Sequence, residues 1–132
     1  MQHKDKIQGL LLSLLGAVTV VLGAWGAHGL KDQITAEEYQ RFEVGLFYQV
    51  FHLIVLLVIW SSHKISSRVK PWIYRFIGLG ILFFSGSLYL MSAQALLFFD
   101  PLFLGPLTPI GGLFLLIGWS LLGWGILKKK RG

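Results

Sequence analysis

The sequence predicts an all-α integral membrane protein, folded as one antiparallel bundle of four transmembrane helices. Of its 132 residues, 55% are hydrophobic and 14% are charged, and the mean hydropathy is +0.67. A soluble domain of this size needs about a quarter of its residues charged to cover its surface. The apolar residues gather in four long runs, and Lys and Arg cluster between them. Most of the surface is therefore expected to contact lipid.

Four apolar runs are each long enough to cross a bilayer, which takes roughly 20 residues. They comprise about residues 7–27, 44–60, 72–91 and 109–127, within a single domain of residues 1–132. Arg75 is one turn inside the third run, where its long stem can reach the headgroups. The first run could instead be a signal peptide, but it is longer than the roughly 7–15 apolar residues of a signal core. Its length favours a transmembrane helix.

Helix-start signals precede three of the runs. Pro71 and Pro109 are expected in the first turns of the third and fourth helices, where a missing N–H costs nothing. Thr108 is predicted to be the N-cap before Pro109. Residues 35–38 (Thr-Ala-Glu-Glu) are typical of a capping box, which would start an amphipathic turn leading into the second helix.

The distribution of Lys and Arg predicts that both termini lie in the cytoplasm. With that orientation, ten of the twelve Lys and Arg residues face inward, and only Lys31 and Arg41 face outward. Such a bias predicts topology in the bacterial cytoplasmic membrane. Basic clusters beside apolar runs indicate contact with lipid headgroups rather than nucleic acid, since no basic face carries interleaved aromatics. The outer loop, about residues 94–107, has Asp100 as its single charge and is expected to lie on or dip into the membrane surface.

Small residues recur every seven positions in the first and last helices, at Gly9, Gly16, Gly23, Gly111, Gly118 and Gly125. A seven-residue period keeps each set on one helix face. Small residues let helix backbones approach each other in lipid, where no hydrophobic force joins them. We interpret the two sets as packing seams. The seams could pack against each other, or one could contact a neighbouring subunit.

Polar residues within the runs are candidates for a site, because such groups are costly in a bilayer and need partners. On the four-helix topology they all fall in the outer half of the membrane, with His52 deepest. The predicted polar cluster comprises His28, Glu43, Tyr48, Gln49, His52, Ser85, Ser87, Tyr89 and Thr108.

Three interpretations of this cluster stay open. It can be a hydrogen-bond network that fixes helix register, a binding or permeation site for a small polar molecule, ion or lipid headgroup, or a metal site formed by His28, His52 and Glu43. A metal site is disfavoured because these three residues lack a ligand-motif spacing. Catalysis is not expected, since Ser85 and Ser87 lack a nucleophile-elbow context and no carboxylate near His52 could orient it. Cysteine is absent, which excludes disulfides and thiol chemistry.

Four short motifs occur in order along the chain. They are residues 23–28 (GAWGAH), residues 45–49 (GLFYQ) with His52, residues 84–89 (FSGSLY), and residues 108–112 (TPIGG) with Gly118-Trp119. Together they resemble the family called domain of unknown function 423, over about residues 7–127. These are small bacterial inner-membrane proteins, with relatives among small animal membrane proteins. The resemblance implies a small multi-pass plasma-membrane protein and supplies no catalytic residue to carry over.

Two functional hypotheses follow, neither of which needs a cofactor. The first is a non-enzymatic structural or accessory protein that binds lipid, another membrane protein or a second copy of itself. The second is a small carrier, channel or sensor that uses the polar cluster. The sequence predicts no substrate and no oligomeric state.

Overall fold

The computed structural model describes residues 2–129. Within that range the chain forms four α-helices and no strand: α1 (His3–His28), α2 (Ala36–Ser61), α3 (Lys70–Ser92) and α4 (Leu107–Leu127). Short 3₁₀ turns at Leu30–Asp32, Gln94–Leu96 and Pro101–Leu104 occupy the connections. All four helices are long and apolar enough to cross a membrane, which confirms the predicted four-helix membrane fold. The predicted orientation stays a prediction, and Lys130 and Arg131 of its C-terminal basic cluster lie outside the described residues.

The capping box that the sequence predicts is present at the start of α2. The Thr35 hydroxyl accepts a hydrogen bond from the Glu38 amide at 3.2 Å, and the Glu38 carboxylate accepts one from the Thr35 amide at 2.8 Å. From there the amphipathic turn and the apolar run form one continuous helix. Pro71 lies in the first turn of α3, as predicted.

The prediction that Thr108 caps α4 is wrong. The helix begins at Leu107, with Pro106 in the N-cap position. The Thr108 hydroxyl lies 2.6 Å from the Ser87 hydroxyl instead. A contact with the neighbouring helix thus replaces the local cap, because the helix starts early enough to place this side chain on its buried side.

Neighbouring helices in sequence are also the main neighbours in space. α2 packs on α1 and α3, and α3 packs most extensively on α4. The main core lies where α2, α3 and α4 meet, and α1 contributes Leu12 to it. Its buried side chains are Leu12, Leu53, Leu56, Ile59, Ile65, Ile73, Ile77, Ile81 and Leu115. α1 is therefore the most peripheral helix, held chiefly by α2.

The glycine seam of α1 faces α2. At each of its three glycines, a Cβ atom would meet a side chain of α2: Trp60 at Gly9, Leu53 at Gly16 and Leu46 at Gly23. The approach at Gly9 is the tightest, because the Trp60 ring would lie 2.8 Å from an added Cβ. The same indole donates a hydrogen bond to the Asp5 carbonyl at 3.0 Å, which ties the start of α1 to the end of α2.

The glycine seam of α4 faces α3 and the α2–α3 loop. An added Cβ would meet Phe84 at Gly111, Ile77 at Gly118 and Ile65 at Gly125. The Gly125 carbonyl also accepts a hydrogen bond from the Ser66 amide at 2.9 Å. Both seams are thus used inside the chain, and they do not pack against each other.

Candidate functional site

A hydrogen-bond chain joins three helices through Gln49. The buried Gln49 amide donates to the Thr19 hydroxyl of α1 at 2.7 Å, and the Tyr89 hydroxyl of α3 donates to the Gln49 carbonyl oxygen at 2.8 Å. Thr19 in turn donates to the Leu15 carbonyl at 2.7 Å. Thr19 is not among the residues predicted from the sequence. Its spacing of three residues from Gly16 and four from Gly23 places it on the α1 seam and could have revealed it.

Two serines of α3 bind to different neighbours. The buried Ser85 hydroxyl donates to the Gly45 carbonyl of α2 at 2.6 Å. The Ser87 hydroxyl shares its 2.6 Å hydrogen bond with Thr108 of α4, and it also donates to the Phe84 carbonyl at 3.0 Å. Both hydroxyls are therefore engaged in joining helices.

His52 connects α2 to α4. Its Nδ1 lies 2.7 Å from the Tyr48 carbonyl, and the Trp119 indole N–H points at its Nε2 from 3.2 Å. An indole nitrogen can only donate, so Nε2 must accept. The ring proton then lies on Nδ1 and donates to the Tyr48 carbonyl. In this geometry His52 is a neutral imidazole with both nitrogens engaged. Trp119, like Thr19, is a contact residue that is absent from the predicted polar cluster.

The structure does not bring all nine predicted residues into one cluster. His28 and Glu43 are exposed and lie outside these hydrogen bonds. The other seven divide into the separate contacts described above, with the Tyr48 ring packed on Phe84 at a centroid distance of 4.2 Å. Nowhere in residues 2–129 do three His, Cys, Asp or Glu side chains lie close enough to hold a metal ion together. The expectation of a single cluster was wrong for His28 and Glu43 because helical spacing does not fix which way a helix end faces.

An open groove lies between α2 and α4, with Phe84 of α3 in its wall. We call it the α2–α4 groove. Its volume is about 750 Å³, and it is lined by Phe47, Tyr48, Phe51, His52, Phe84, Pro109, Gly112, Leu113, Leu115, Leu116 and Trp119. Phe47 and Leu116 at its rim are each 66% exposed, whereas His52 is 4% exposed. The groove therefore opens sideways from the bundle, and His52 lies in its depth.

A smaller apolar furrow continues on the other side of Trp119. It has a volume of about 360 Å³ and also lies against α2 and α4, and Trp119 belongs to the lining of both. Lys64 and Ser62 border it where α2 ends. The α2–α4 groove and this furrow together thus extend along α2 and α4, from Pro109 towards the basic end of the bundle.

Comparison with known proteins places the chain in a family. The family model described as "Protein of unknown function (DUF423)" matches residues 22–112. The chain belongs to the DUF423 family. The matched segment includes Tyr48, His52, Phe84 and Gly112 of the α2–α4 groove, whereas Trp119 follows it. No solved structure matches the chain.

Curated relatives of this DUF423 chain are bacterial membrane proteins. The UPF0382 membrane protein of Haemophilus influenzae is 38% identical over 125 residues, covering 91% of this chain and 93% of the relative. The UPF0382 membrane protein of Staphylococcus saprophyticus is 34% identical, covering 90% and 96%. The UPF0382 inner membrane protein YgdD of Escherichia coli is 34% identical, covering 92% and 90%. These matches, together with the four helices of this chain that can span a membrane, confirm the prediction of a multi-pass protein of the cell membrane.

Proposed function

We propose that this protein is a non-enzymatic lipid-binding protein, which holds the acyl chain of a bilayer lipid in the α2–α4 groove. The observation that carries the proposal is the direction in which the groove opens. Its rim residues point away from the bundle, at positions within the apolar stretches of α2 and α4. In a membrane the medium at that surface is hydrocarbon, so a lipid chain is the occupant with direct access.

The chemistry of the lining supports an apolar occupant. Phenylalanine, leucine and tryptophan side chains form most of the wall. A volume of about 750 Å³ is within the roughly 300–1,000 Å³ range of small-molecule pockets, which are also mostly apolar. Packing a chain into this groove gains many weak dispersion contacts, and these drive association between apolar surfaces in lipid.

The His52–Trp119 pair in the groove needs no polar ligand. His52 uses Nδ1 for the Tyr48 carbonyl and Nε2 for the Trp119 indole, so an apolar chain beside these groups leaves neither nitrogen of His52 unpaired. A polar solute could bind to His52 only by displacing one of these bonds. The hydrogen bond between His52 and Trp119 instead fixes the distance between α2 and α4 and so sets the width of the groove.

A carrier, channel or enzyme has less support from the same contacts. Throughout the described part of the chain, every buried side-chain nitrogen or oxygen has a hydrogen-bond partner. A permeation path or a polar binding site would be expected to leave polar groups free to meet the solute. For catalysis, the Ser85 hydroxyl is already committed to the Gly45 carbonyl, and the partners of His52 are a carbonyl and an indole rather than an orienting carboxylate.

Filling the groove with a protein side chain tests the proposal. A Cβ atom at Gly112 would lie 3.9 Å from the Phe84 ring, which is ordinary contact, so Gly112→Leu adds bulk to the groove without a backbone clash. Gly123→Leu in the same helix is the matched control, because its Cβ would meet open space and Gly123 does not line the groove. Native mass spectrometry of protein released from lipid nanodiscs measures the lipid retained by each variant.

We expect wild type and Gly123→Leu to retain a defined lipid, and Gly112→Leu to lose it while keeping the thermal stability of the wild type. Equal lipid retention by the two leucine variants would contradict the proposal. A wild-type dimer that Gly112→Leu alone dissociates would assign the groove to a second copy of the chain instead.

A further inference from the structure

A basic cleft lies at the end of the bundle where the first and last described residues meet. Its volume is about 370 Å³. Four separate segments contribute to it: the start of α1, the α2–α3 loop, the start of α3 and the chain after α4. Charged and polar residues in its lining include Lys4, Asp5, His63, Ser67, Lys70 and Lys129.

The charges in this cleft do not balance. Three lysines line it, and Asp5 is the sole carboxylate among its lining residues. The Asp5 carboxylate already accepts a hydrogen bond from the Gln2 amide at 3.2 Å, in the cap of α1. The one ion pair found within residues 2–129 joins Arg41 and Glu37, near the start of α2 at the other end of the bundle. Lys4 and Lys129 are exposed and lack an acidic partner within the described residues.

The base of the cleft is held in place by hydrogen bonds. Lys70 donates from Nζ to the Ser62 carbonyl at 2.5 Å, across the α2–α3 loop. Trp60 donates to the Asp5 carbonyl at 3.0 Å, which fixes the start of α1 against α2. The Ser66 amide donates to the Gly125 carbonyl of α4 at 2.9 Å. The segments that carry the lysines are therefore held in fixed positions around the cleft.

We propose that this cleft binds the phosphate group of an anionic phospholipid headgroup in the adjacent leaflet. Several cations converging at the end of apolar helices attract anionic lipids, at about 1 kcal/mol for each lysine near the surface. The cleft has hydrogen-bond donors as well as charge, since the Ser67 hydroxyl lies in its wall. The cleft lies at the ends of the helices, and in a membrane this is the level of the lipid headgroups.

This site is separate from the α2–α4 groove. The two share no lining residue, and the groove is apolar whereas the cleft is basic. Binding at the cleft therefore does not require the function proposed for the groove. If the proposal for one site fails its test, the proposal for the other site is still tested by its own variants.

Two double variants with equal loss of charge test the cleft. Lys4→Gln/Lys129→Gln removes two of its lining cations, and Lys6→Gln/Lys128→Gln removes two cations of the same segments that do not line it. All four side chains are exposed, so neither variant removes a core contact. Each protein is placed in phosphatidylcholine nanodiscs with graded amounts of phosphatidylglycerol, and bound phosphatidylglycerol is measured by native mass spectrometry.

We expect the cleft variant to bind phosphatidylglycerol roughly 25-fold more weakly than wild type, at about fivefold for each lysine, and clearly more weakly than the control, whose two lysines do not line the cleft. Equal weakening in the two variants would overturn the proposal, because it would show diffuse attraction to a basic surface. Inorganic phosphate that displaced phosphatidylglycerol from the cleft at comparable concentration would assign the site to a soluble phosphate compound, and would also overturn the lipid proposal. Thermal unfolding of both variants checks that each is folded.

Discussion

Substituting Gly111 by alanine tests the closest approach between α3 and α4. At this position an added Cβ would collide with the backbone nitrogen of Phe84, and it would lie 2.8 Å from the Phe84 Cα and 2.9 Å from the Phe83 carbonyl carbon. All three are backbone atoms of a regular helix, so none can rotate away as a side-chain end could. The two helices must separate to admit the methyl group.

The size of the effect follows from that separation. Ordinary van der Waals distances begin near 3.4 Å, so relieving the approach to the Phe84 α-carbon requires the helices to move apart by about 0.6 Å, and the amide nitrogen requires more. A gap of 0.5–1 Å forfeits about a quarter to a half of the dispersion energy of each atom pair along the seam. Overpacking of this kind costs about 1–3 kcal/mol in protein cores, and we expect Gly111→Ala to fall near the upper end. Such a loss lowers the melting temperature by several degrees.

The neighbouring glycine provides the control. At Gly112 an added Cβ meets one ring atom of Phe84 at 3.9 Å, so Gly112→Ala is expected to be neutral or slightly stabilising through its higher helix propensity. The assay is thermal unfolding in one detergent, followed by tryptophan fluorescence, for wild type and both variants. Equal melting temperatures for Gly111→Ala and Gly112→Ala would refute the reasoning, because the two differ in their packing against α3 and not in chemistry.

The remaining predictions concern the hydrogen-bond chain and the orientation. Gln49→Leu should lower the free energy of unfolding by about 1–2 kcal/mol, since it removes the bonds to both Thr19 and Tyr89 and each interhelical bond contributes about 0.6 kcal/mol or somewhat more. An unchanged melting temperature would show that these bonds contribute nothing. The chain has no cysteine, so single cysteines placed at the exposed Gln33 and Ser67 report orientation cleanly. A membrane-impermeant thiol reagent should label Gln33→Cys and spare Ser67→Cys in intact cells, and the opposite pattern would contradict the inward-facing termini.

The candidate site was partly foreseen from helical spacing. Because polar groups in a bilayer need partners, the sequence predicts Gln49 and His52 as site residues, and both are buried and hydrogen-bonded in the structure. Their partners were not foreseen. Thr19 stands in an apolar run, where only its spacing from Gly16 and Gly23 marks it, and Trp119 has no local signal that separates it from a lipid-facing aromatic residue.

The amino-acid sequence specifies the local properties of this protein. Hydropathy over about 20 residues defines each membrane-spanning helix, and the Thr35–Glu38 pair defines where α2 starts, because both depend on neighbours along the chain. The seven-residue spacing of glycines likewise marks one face of α1 and of α4.

Which helix each of these faces meets is a property of the tertiary fold. A soluble helix shows its buried side by its apolar stripe, but a helix in lipid is apolar on all sides, so its rotation leaves little trace in hydropathy. For this reason the sequence left open whether the seams of α1 and α4 pack together, whereas the structure pairs them with α2 and α3. The same rotation places Gly111 against the α3 backbone and Gly112 in the α2–α4 groove, one residue apart in sequence and on different surfaces in the fold.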